Sequence, residues 1–299
     1  MNTAIKINHL SKDYQTATFK KVNALSNLCL DITEGECFGF IGPNGAGKST
    51  TIKILTGVLT PTSGDAMIYG KSVQNPAARL GVGYVPENPY LSDYLTPYEV
   101  LTISLEMHKV KPASKRQHIM NWLERLEIAH VAKKTIRSFS KGMTQRTAIA
   151  QAMCIEPKML ILDEPLSGLD PIGRRDVVNL LAEYKKNQGT LFFTSHVLHD
   201  VEQLADRFGL IHQGKLSTVK SPTELWQGEQ TFKVSSIGSA APTNFARNGN
   251  SLWSAEVLES ELWPTLQHLH ELKHQIQEVK SLATLENVFL KITQTNTAK

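Results

Sequence analysis

The chain has 299 residues, of which 41% are hydrophobic and 20% are charged, and its formal net charge is +4. This composition is that of a folded protein with one large or two moderate domains, and it excludes a disordered or collagen-like chain. Because the net charge is mild and the basic residues are scattered, no nucleic-acid partner is expected.

The cysteines, the N-terminus and the hydropathy together predict a cytoplasmic protein. Cys29, Cys37 and Cys154 lie in apolar runs without metal-ligand spacing, which favours buried free thiols over disulfides. The N-terminus lacks the apolar core of a secretion signal, and no segment approaches the roughly 18 consecutive apolar residues of a membrane span. Any role at a membrane would have to come through a partner.

Strand-like runs fill residues 4–40, and the last of them leads into the sequence GPNGAGKST at 42–50. This sequence has the spacing of a phosphate-binding loop, because four residues separate its outer glycines and Lys48 and Ser49 follow. The glycines let backbone N–H groups face the phosphates, Lys48 brings positive charge to the β- and γ-phosphates, and Ser49 offers a hydroxyl to Mg²⁺. The motif predicts binding of a nucleoside triphosphate.

The region after residue 95 has helical character. Thr96 and Glu99 have the spacing of a capping box, and apolar residues at 119, 122, 123 and 126 predict a second, amphipathic helix. The sequence FSKGMTQR at 139–146 predicts a further helix start, with Ser140 as its cap and Gly142 leaving N–H groups open beside it. This is a second place in the chain where a phosphate group is able to bind.

Two short, nearly all-apolar runs at 158–163 and 190–196 are separated by a helical segment, a pattern typical of parallel strands buried on both faces. At the end of the first run, Asp163 is suited to hold Mg²⁺ through water, and Glu164 is suited to take a proton from an attacking water. If the strands are parallel, His196 lies at the same sheet edge, where it is placed to contact the γ-phosphate or water.

The last part of the chain has a different texture. A hairpin turning at Gln213–Gly214 precedes a boundary near residue 220. Beyond it, strand-like runs alternate with one helix around Leu262–Leu269, with Pro264 in its first turn, and an apolar helical face at 285–292 ends the chain. Residues 221–299 are therefore predicted to form a small α+β domain.

Three histidines in that region raise the question of a metal site. His270 and His274 share one face of the predicted helix, and His268 lies nearby, but no third ligand for that face is near in the sequence. A solvated helix surface is favoured over a metal site.

Taken in order, the motifs resemble the ATP-binding cassette of ABC transporters over residues 1–220. GPNGAGKST resembles the Walker A loop, FSKGMTQR the signature sequence, LILDEP the Walker B strand with its glutamate, SGLD the D-loop and TSH the H-switch. Tyr14 lies where the family places an aromatic residue that stacks on adenine. Phe19 is a second candidate for that contact, and simple core packing is the alternative for both.

Three residues depart from the pattern of the family. Glu87, in YVPEN, replaces a glutamine that usually touches Mg²⁺ and the membrane partner, while Lys141 and Met143 replace a glycine and a glutamine of the signature. The signature departures and the tail SLATLENVFLKIT resemble the branch of exporters similar to drug- and polysaccharide-efflux cassettes, the ABC-2 type.

The resemblance implies an α/β fold of the P-loop NTPase, RecA-like class. Its core is a mainly parallel sheet, with an antiparallel β subdomain at the N-terminus and a helical subdomain at about 88–145. The nucleotide-binding domain covers 1–220, followed by the accessory α+β domain at 221–299. The protein is expected at the cytoplasmic face of the membrane, where it powers a separate integral membrane permease.

The resemblance also implies a head-to-tail dimer of two such chains, in which the signature of one copy completes the ATP site of the other. Catalysis is assigned to Lys48, Glu164 and His196, and Mg²⁺ to Ser49, Asp163 and Glu87. The residues expected at ATP are Tyr14, Gly42, Pro43, Asn44, Gly45, Ala46, Gly47, Lys48, Ser49, Thr50, Glu87, Ser140, Lys141, Gly142, Met143 and Asp170.

Two alternatives stay open at this point. A soluble cassette protein acting on ribosomes or DNA usually carries two cassettes, a coiled-coil insertion or zinc-binding cysteines, and the sequence contains none of these. A small-molecule kinase would share the phosphate loop but would have no use for FSKGMTQR.

Overall fold

The computed structural model describes residues 2–15, 21–226, 230–249 and 251–282. Contacts divide the chain into two units, Met1–Val219 and Lys220–Lys299. The strands that begin in the first unit are β1 (Thr3–Gln15), β2 (Lys21–Thr33), β3 (Cys37–Ile41), β4 (Ser63–Ile68), β5 (Lys71–Ser72), β6 (Val82–Val85), β7 (Met159–Leu162), β8 (Thr190–Ser195), β9 (Arg207–His212) and β10 (Lys215–Lys220). Its α-helices are α1 (Lys48–Leu55), α2 (Pro97–Met107), α3 (Lys115–Arg125), α4 (Lys141–Met153), α5 (Pro171–Lys186) and α6 (Leu198–Leu204).

Two sheets organise the first unit. A four-stranded sheet has the order β2-β1-β4-β5 with antiparallel pairs, and a six-stranded sheet has the order β10-β9-β3-β8-β7-β6. Strands β9, β3, β8, β7 and β6 pair in parallel. Every residue of β3, β7 and β8 is buried, which explains why these strands are apolar without alternation. The predicted α/β fold, with its parallel core and antiparallel N-terminal sheet, is confirmed.

The parallel sheet gathers the motifs at one edge. Strands β3, β7 and β8 are neighbours and run in the same direction, so the residues that follow them lie at their shared carboxyl end. Rings of Phe38, Phe40 and Phe192 pack together beneath that edge, with the first and last stacked at 6.1 Å. This packing fixes the strands from which the functional loops emerge.

Helices α2, α3 and α4 pack against one another. At the start of α2, the capping box is complete: Thr96 accepts a hydrogen bond from the Glu99 N–H, and the Glu99 carboxylate accepts one from the Thr96 N–H. Ser140 caps α4 by accepting from the Met143 N–H at 3.3 Å. The predicted hairpin turn also forms, since Gln213 and Gly214 both have positive φ, as a two-residue turn requires.

One of the cysteine predictions is wrong. Cys37 and Cys154 are buried, and burial raises the pKa of the Cys154 thiol to about 12, so it stays protonated. Cys29, however, is exposed. Leu28 and Leu30 point into the core from β2, and the alternation of a strand then turns the residue between them towards solvent.

The second unit is a small α+β fold. Strands β11 (Thr231–Ile237), β12 (Ala246–Arg247), β13 (Leu252–Leu258) and β14 (Gln275–Ser281) form an antiparallel sheet in the order β12-β13-β11-β14, and α7 (Glu259–Glu271) packs on it. Its buried apolar cluster contains Val234, Val257 and Leu269. The predicted α+β character is confirmed, while the apolar face at 285–292 lies outside the described residues.

Two predictions in this unit are wrong in their details. Helix α7 begins at Glu259, so Pro264 lies in its interior rather than in its first turn. The helix ends at Glu271, and His274 is therefore not on a helix surface. Its buried ring pairs with the Ser236 hydroxyl at 3.0 Å and the Ala240 carbonyl at 2.9 Å, which makes it a packed core histidine. Among the described residues, no group of three or more metal-ligating side chains comes together.

Short 3₁₀ turns complete the described chain at Pro76–Arg79, Ala129–Val131, Ile136–Ser138 and Pro222–Trp226. Within the part of the chain that the structure describes, none of the helices combines the length and the apolarity needed to cross a bilayer.

Candidate active site

The loop between β3 and α1 requires glycine at specific positions. Gly47 has a φ of +115°, and a Cβ atom there would lie 2.7 Å from the carbonyl oxygen of Ala24. A Cβ atom on Gly42 would collide with the carbonyl oxygen of Ile211. The chain therefore turns tightly into α1, whose first turn leaves N–H groups without intrahelical partners.

A cavity of about 440 Å³ opens over this loop. It is lined by Ala24, Pro43, Asn44, Gly45, Ala46, Gly47, Lys48, Ser49, Thr50, Glu87, Glu164 and His196. The loop backbone, one lysine, two carboxylates and a histidine, from four separate segments of sequence, thus face the same space. The positive end of α1 and the Lys48 ammonium make this space suited to an anion.

Lys48 is nearly buried, and its ammonium group is held by local acceptors. Its Nζ donates to the carbonyl oxygen of Gly42 at 2.6 Å and lies 3.7 Å from Glu164 Oε1. A buried cation needs such partners because desolvation disfavours its charge. The arrangement places one fixed positive charge at the base of the cavity.

Glu164 and His196 form a directly bonded pair. Glu164 Oε2 lies 2.8 Å from His196 Nδ1 and accepts the His196 backbone N–H at 3.3 Å. Because an ionised carboxylate only accepts, the Nδ1–H of the ring is the donor in this contact. Glu164 is 7% exposed, whereas the His196 side chain is 58% exposed, so the carboxylate is enclosed and the imidazole reaches solvent.

Asp163 lies one residue behind, and it does not line the cavity. It is 4% exposed, and the Thr194 hydroxyl donates to its Oδ1 at 2.7 Å. The same hydroxyl accepts the backbone N–H of Glu164 at 2.9 Å. On the neighbouring strand β6, burial, reinforced by the Asp163 carboxylate, raises the pKa of the Tyr84 phenol to about 12.

The structure does not bring every predicted residue to this cavity. Tyr14, Gly42, Ser140, Lys141, Gly142, Met143 and Asp170 are not among the described residues that line it. Ser140 caps α4, and Asp170 caps α5 by accepting the Gly173 N–H at 3.3 Å. The chain of α4 is tied to the Walker B loop instead, because Gln145 Nε2 donates to the Pro165 carbonyl at 2.9 Å.

Tyr14 lies near the end of β1 and is 38% exposed, which argues against simple core packing. The ammonium group of Lys12 stands 5.6 Å from its ring centroid, as in a cation–π contact. Phe19, the second candidate, lies outside the described residues.

The structure also contains a second charged pair next to the site, which the sequence does not predict. Arg174 on α5 donates to both oxygens of Asp200 on α6, with Nη2 2.6 Å from Oδ2 and Nε 3.2 Å from Oδ1. Asp200 is buried and also accepts from the Ser195 hydroxyl at 3.3 Å. The pair lines a second cavity of about 200 Å³ together with Glu164 and His196. It braces the turn that carries His196, and nothing in the sequence distinguishes these two residues from other charged helix residues.

With this geometry in view, comparison with known proteins identifies the family. Residues 25–167 match the family model described as ABC transporter. An uncharacterised ABC transporter ATP-binding protein of Nostoc is 37% identical over 236 residues, covering 78% of this chain and 70% of that protein. The chain belongs to the ABC transporter ATP-binding family. It is an ATPase, and its family binds ATP.

Another relative and two solved structures are similar to this ABC ATPase. The bacitracin transport ATP-binding protein BcrA of Bacillus licheniformis is 38% identical over 219 residues, covering 72% of this chain and 69% of that protein. An ATP-binding subunit of an ABC transporter superposes with a TM-score of 0.68 at 28% identity, covering 74% of this chain and 91% of that one. A dimeric cassette in a post-hydrolysis state with ADP and Pi has a TM-score of 0.66 at 23% identity, covering 73% and 98%, and shares the fold.

Proposed function

We propose that this ABC ATPase binds Mg–ATP in the cavity over α1 and hydrolyses it to power a separate membrane permease of the exporter type. The observation that carries the proposal is the convergence of the phosphate loop, Lys48, Glu164 and His196 around one space. A loop of this kind alone would also suit a kinase. The bonded carboxylate–imidazole pair beside it supports hydrolysis by water.

The phosphates of ATP would replace the Gly42 carbonyl and the Glu164 carboxylate as partners of the Lys48 ammonium group. Its Nζ, held by the Gly42 carbonyl, has only a short movement to make towards the β- and γ-phosphates, while the loop N–H groups bind the remaining oxygens. Tyr14, exposed on β1, is proposed to stack on adenine.

Mg²⁺ would be held by the Ser49 hydroxyl and the Glu87 carboxylate, which line the cavity, and through water by the Asp163 carboxylate, which lies just behind the lining. These oxygen ligands are the kind that this ion prefers. When bound, the ion neutralises charge that develops on the transferred phosphoryl group. Asp163 is kept in one orientation by the Thr194 hydroxyl, and Glu87 lines the cavity.

Glu164 is proposed as the general base. Its Oε2 is already oriented by two hydrogen bonds from His196, which leaves Oε1, now 3.7 Å from Lys48, to take a proton from the attacking water. His196, whose Nδ1 is turned towards Glu164, presents the Nε2 side of its ring to the γ-phosphate region.

A second copy of the chain is proposed to complete the site. The signature residues Ser140, Lys141, Gly142 and Met143, together with Asp170, do not line the cavity of their own chain. Ser140 is exposed at the start of α4, where N–H groups and the helix dipole suit an anion supplied by another molecule. A solved cassette that shares the fold is a dimer with bound ADP and Pi, which is compatible with pairing of two copies.

The permease is proposed to dock on the segment that follows Glu87. Tyr90 is 99% exposed and Tyr94 is 83% exposed, and large aromatic side chains left in solvent mark a protein interaction surface. Docking there would place the protein at the cytoplasmic face of the membrane. The bacitracin transport relative favours a role in transport over the ribosome or DNA alternative.

The test is co-expression of the chain with the product of the neighbouring reading frame, which the proposal expects to be a membrane protein. We expect the two to co-purify and the complex to hydrolyse ATP only with Mg²⁺, faster than the isolated chain. Co-purification with ribosomes in place of a membrane protein, or a complex without ATPase activity, would overturn the proposal.

The domain assignment is also a proposal, with the cassette at 1–220, its helical part at about 88–145 and an accessory domain at 221–299. Truncation after Lys220 should give a monodisperse protein with unchanged ATP affinity, because the residues proposed for ATP all precede it. Isothermal titration with ATP measures this. Loss of binding in a folded truncation would place the boundary elsewhere.

A further inference from the structure

Thr194 stands between the two carboxylates to which the proposed function gives roles, and it belongs to a different strand. It lies on β8, is fully buried, and meets the end of β7 where Asp163 and Glu164 begin. Its hydroxyl has two partners there: the Asp163 carboxylate at 2.7 Å and the Glu164 backbone N–H at 2.9 Å.

The direction of both bonds is fixed by chemistry. An N–H group only donates, so the hydroxyl must accept from Glu164. An ionised carboxylate only accepts, so the hydroxyl must donate to Asp163. The Thr194 hydroxyl therefore donates its hydrogen to Asp163 and accepts the Glu164 N–H with a lone pair. These two bonds orient two consecutive residues.

Glu164 needs such a restraint because its backbone is unfavourable. It has a φ of +50°, in the left-handed region that residues with a side chain seldom adopt. This conformation turns its side chain towards Lys48 and His196, with which it is bonded or paired. Releasing the N–H would let the turn relax towards a more common conformation and move the carboxylate.

We infer that Thr194 is a positioning residue for ATP hydrolysis, which holds the Asp163 carboxylate for Mg²⁺ and locks the backbone turn that aims Glu164. It does not touch the reacting atoms and acts through the two acidic residues. The inference rests on the roles proposed above for Asp163 and Glu164.

The test compares Thr194→Val, which keeps the shape and loses the hydroxyl, with Thr194→Ser, which keeps the hydroxyl. Thr190→Val is the matched control. Thr190 is on the same strand, is also fully buried, and its hydroxyl accepts the Gly35 N–H at 2.9 Å, but it lies at the other end of β8. Each valine variant loses one hydrogen bond from a backbone amide. Only Thr194→Val loses that bond next to Asp163 and Glu164.

For Thr194→Val we expect kcat to fall by roughly 10- to 100-fold, the scale for lost outer partners of metal ligands. Thr194→Ser should restore most of the rate, and Thr190→Val should keep it. ATP affinity in EDTA should be equal in all variants, whereas the gain in affinity on adding Mg²⁺ should be smaller in Thr194→Val alone.

A readout that needs neither nucleotide nor metal is amide hydrogen exchange at Glu164 in the free protein. Exchange should accelerate in Thr194→Val and stay slow in Thr194→Ser and Thr190→Val. If Thr194→Val does not fold, Thr194→Ala replaces it in the same comparison.

Two different failures are separable. If the two valine variants match each other in kcat, Mg²⁺ dependence and Glu164 exchange while Glu164→Gln is inactive, the inference about Thr194 is wrong and the proposed function stands. If Glu164→Gln hydrolyses ATP at the wild-type rate, the role proposed for Glu164 fails and the inference loses its premise. If the chain does not hydrolyse ATP with its membrane partner, the proposed function itself fails.

Discussion

Helices α1 and α4 both begin in a way that suits a phosphate group, but their surroundings differ. The start of α1 is enclosed: Lys48 is nearly buried there, and Glu164 and His196 share its cavity. The start of α4 is exposed at Ser140, and the side chain of Lys141 lies against Gly168 of the D-loop. Of the two, only the α1 end holds residues able to activate water, and the α4 end offers only binding groups. The two helix starts of one chain are therefore not equivalent: the α1 end is lined by groups proposed for catalysis, and the α4 end offers binding groups to another molecule.

The largest test of this contrast removes the proposed base at the enclosed site. Glu164→Gln should keep ATP binding and slow hydrolysis by roughly 10²–10⁴-fold, because the amide is too weakly basic to take a proton from water. It should also trap an ATP-bound dimer visible by size-exclusion chromatography. Lys48→Ala is the comparison variant, which should already fail at ATP binding. Wild-type turnover in Glu164→Gln would remove it from the catalytic role.

The enclosed site is also the part that sequence patterns describe well. Its residues directly follow buried strands, and apolar runs such as MLIL reveal those strands without knowledge of the fold. Parallel pairing then brings the residues after β3, β7 and β8 to one edge. The phosphate loop, Glu164 and His196 are therefore close in space because each follows a strand of the same parallel sheet, and this strand-then-motif order is visible in the sequence.

Contacts between side chains on neighbouring strands and helices were not predictable in the same way. The Thr194 bonds depend on β8 lying beside β7, and the Arg174–Asp200 pair depends on how α5 meets α6. Neither spacing nor composition encodes such neighbours. His274 was misassigned for a different reason, because the end of α7 lies three residues before it and the following turn carries the ring into the core.

The exposed site is tested by placing a large cation at its start. Ser140→Arg should leave ATP affinity near normal but lower hydrolysis by roughly 10²-fold, the scale for a lost anion-binding group at a reacting phosphate. Ser114→Arg is the matched control, since Ser114 caps the neighbouring helix α3 by accepting from Gln117. Both changes should cost about 1 kcal/mol of stability as lost caps, and only the first should slow hydrolysis.

Mixing Ser140→Arg with Lys48→Ala sharpens the contrast further. Each mixed dimer would contain one intact composite site and one doubly broken site, so partial activity should return. Nucleotide trapping on the mixture separates two explanations if activity stays absent. Trapped nucleotide would mean that both sites must act together, and its absence would contradict the arrangement in trans.

The brace between α5 and α6 predicts a smaller effect. Arg174→Ala leaves the buried Asp200 carboxylate without its guanidinium partner, at a cost of about 2 kcal/mol because Arg174 is itself partly exposed. Looser support for the turn that carries His196 should lower kcat by about tenfold. The exposed neighbour Arg175, changed to alanine, is the control for charge. Thermal unfolding and steady-state ATPase rates measure both effects, and equal rates in the two variants would limit the pair to a role in stability.

The smallest effect is expected at Glu87, on the outer wall of the enclosed site. It lines the cavity but is exposed, so water screens its charge, and the residue offers a carboxylate where the family pattern has a neutral amide. A carboxylate binds the metal side of Mg–ATP more strongly than an amide does, and it repels the triphosphate when the metal is absent. Glu87→Gln should therefore preserve ATP binding and shift the Mg²⁺ concentration for half-maximal hydrolysis by a few-fold. Glu87→Ala should in addition weaken stimulation by the permease, because it removes the side chain next to the proposed docking segment. Three superimposable Mg²⁺ titrations with equal stimulation would mean that the carboxylate faces solvent and that only the backbone at this position matters.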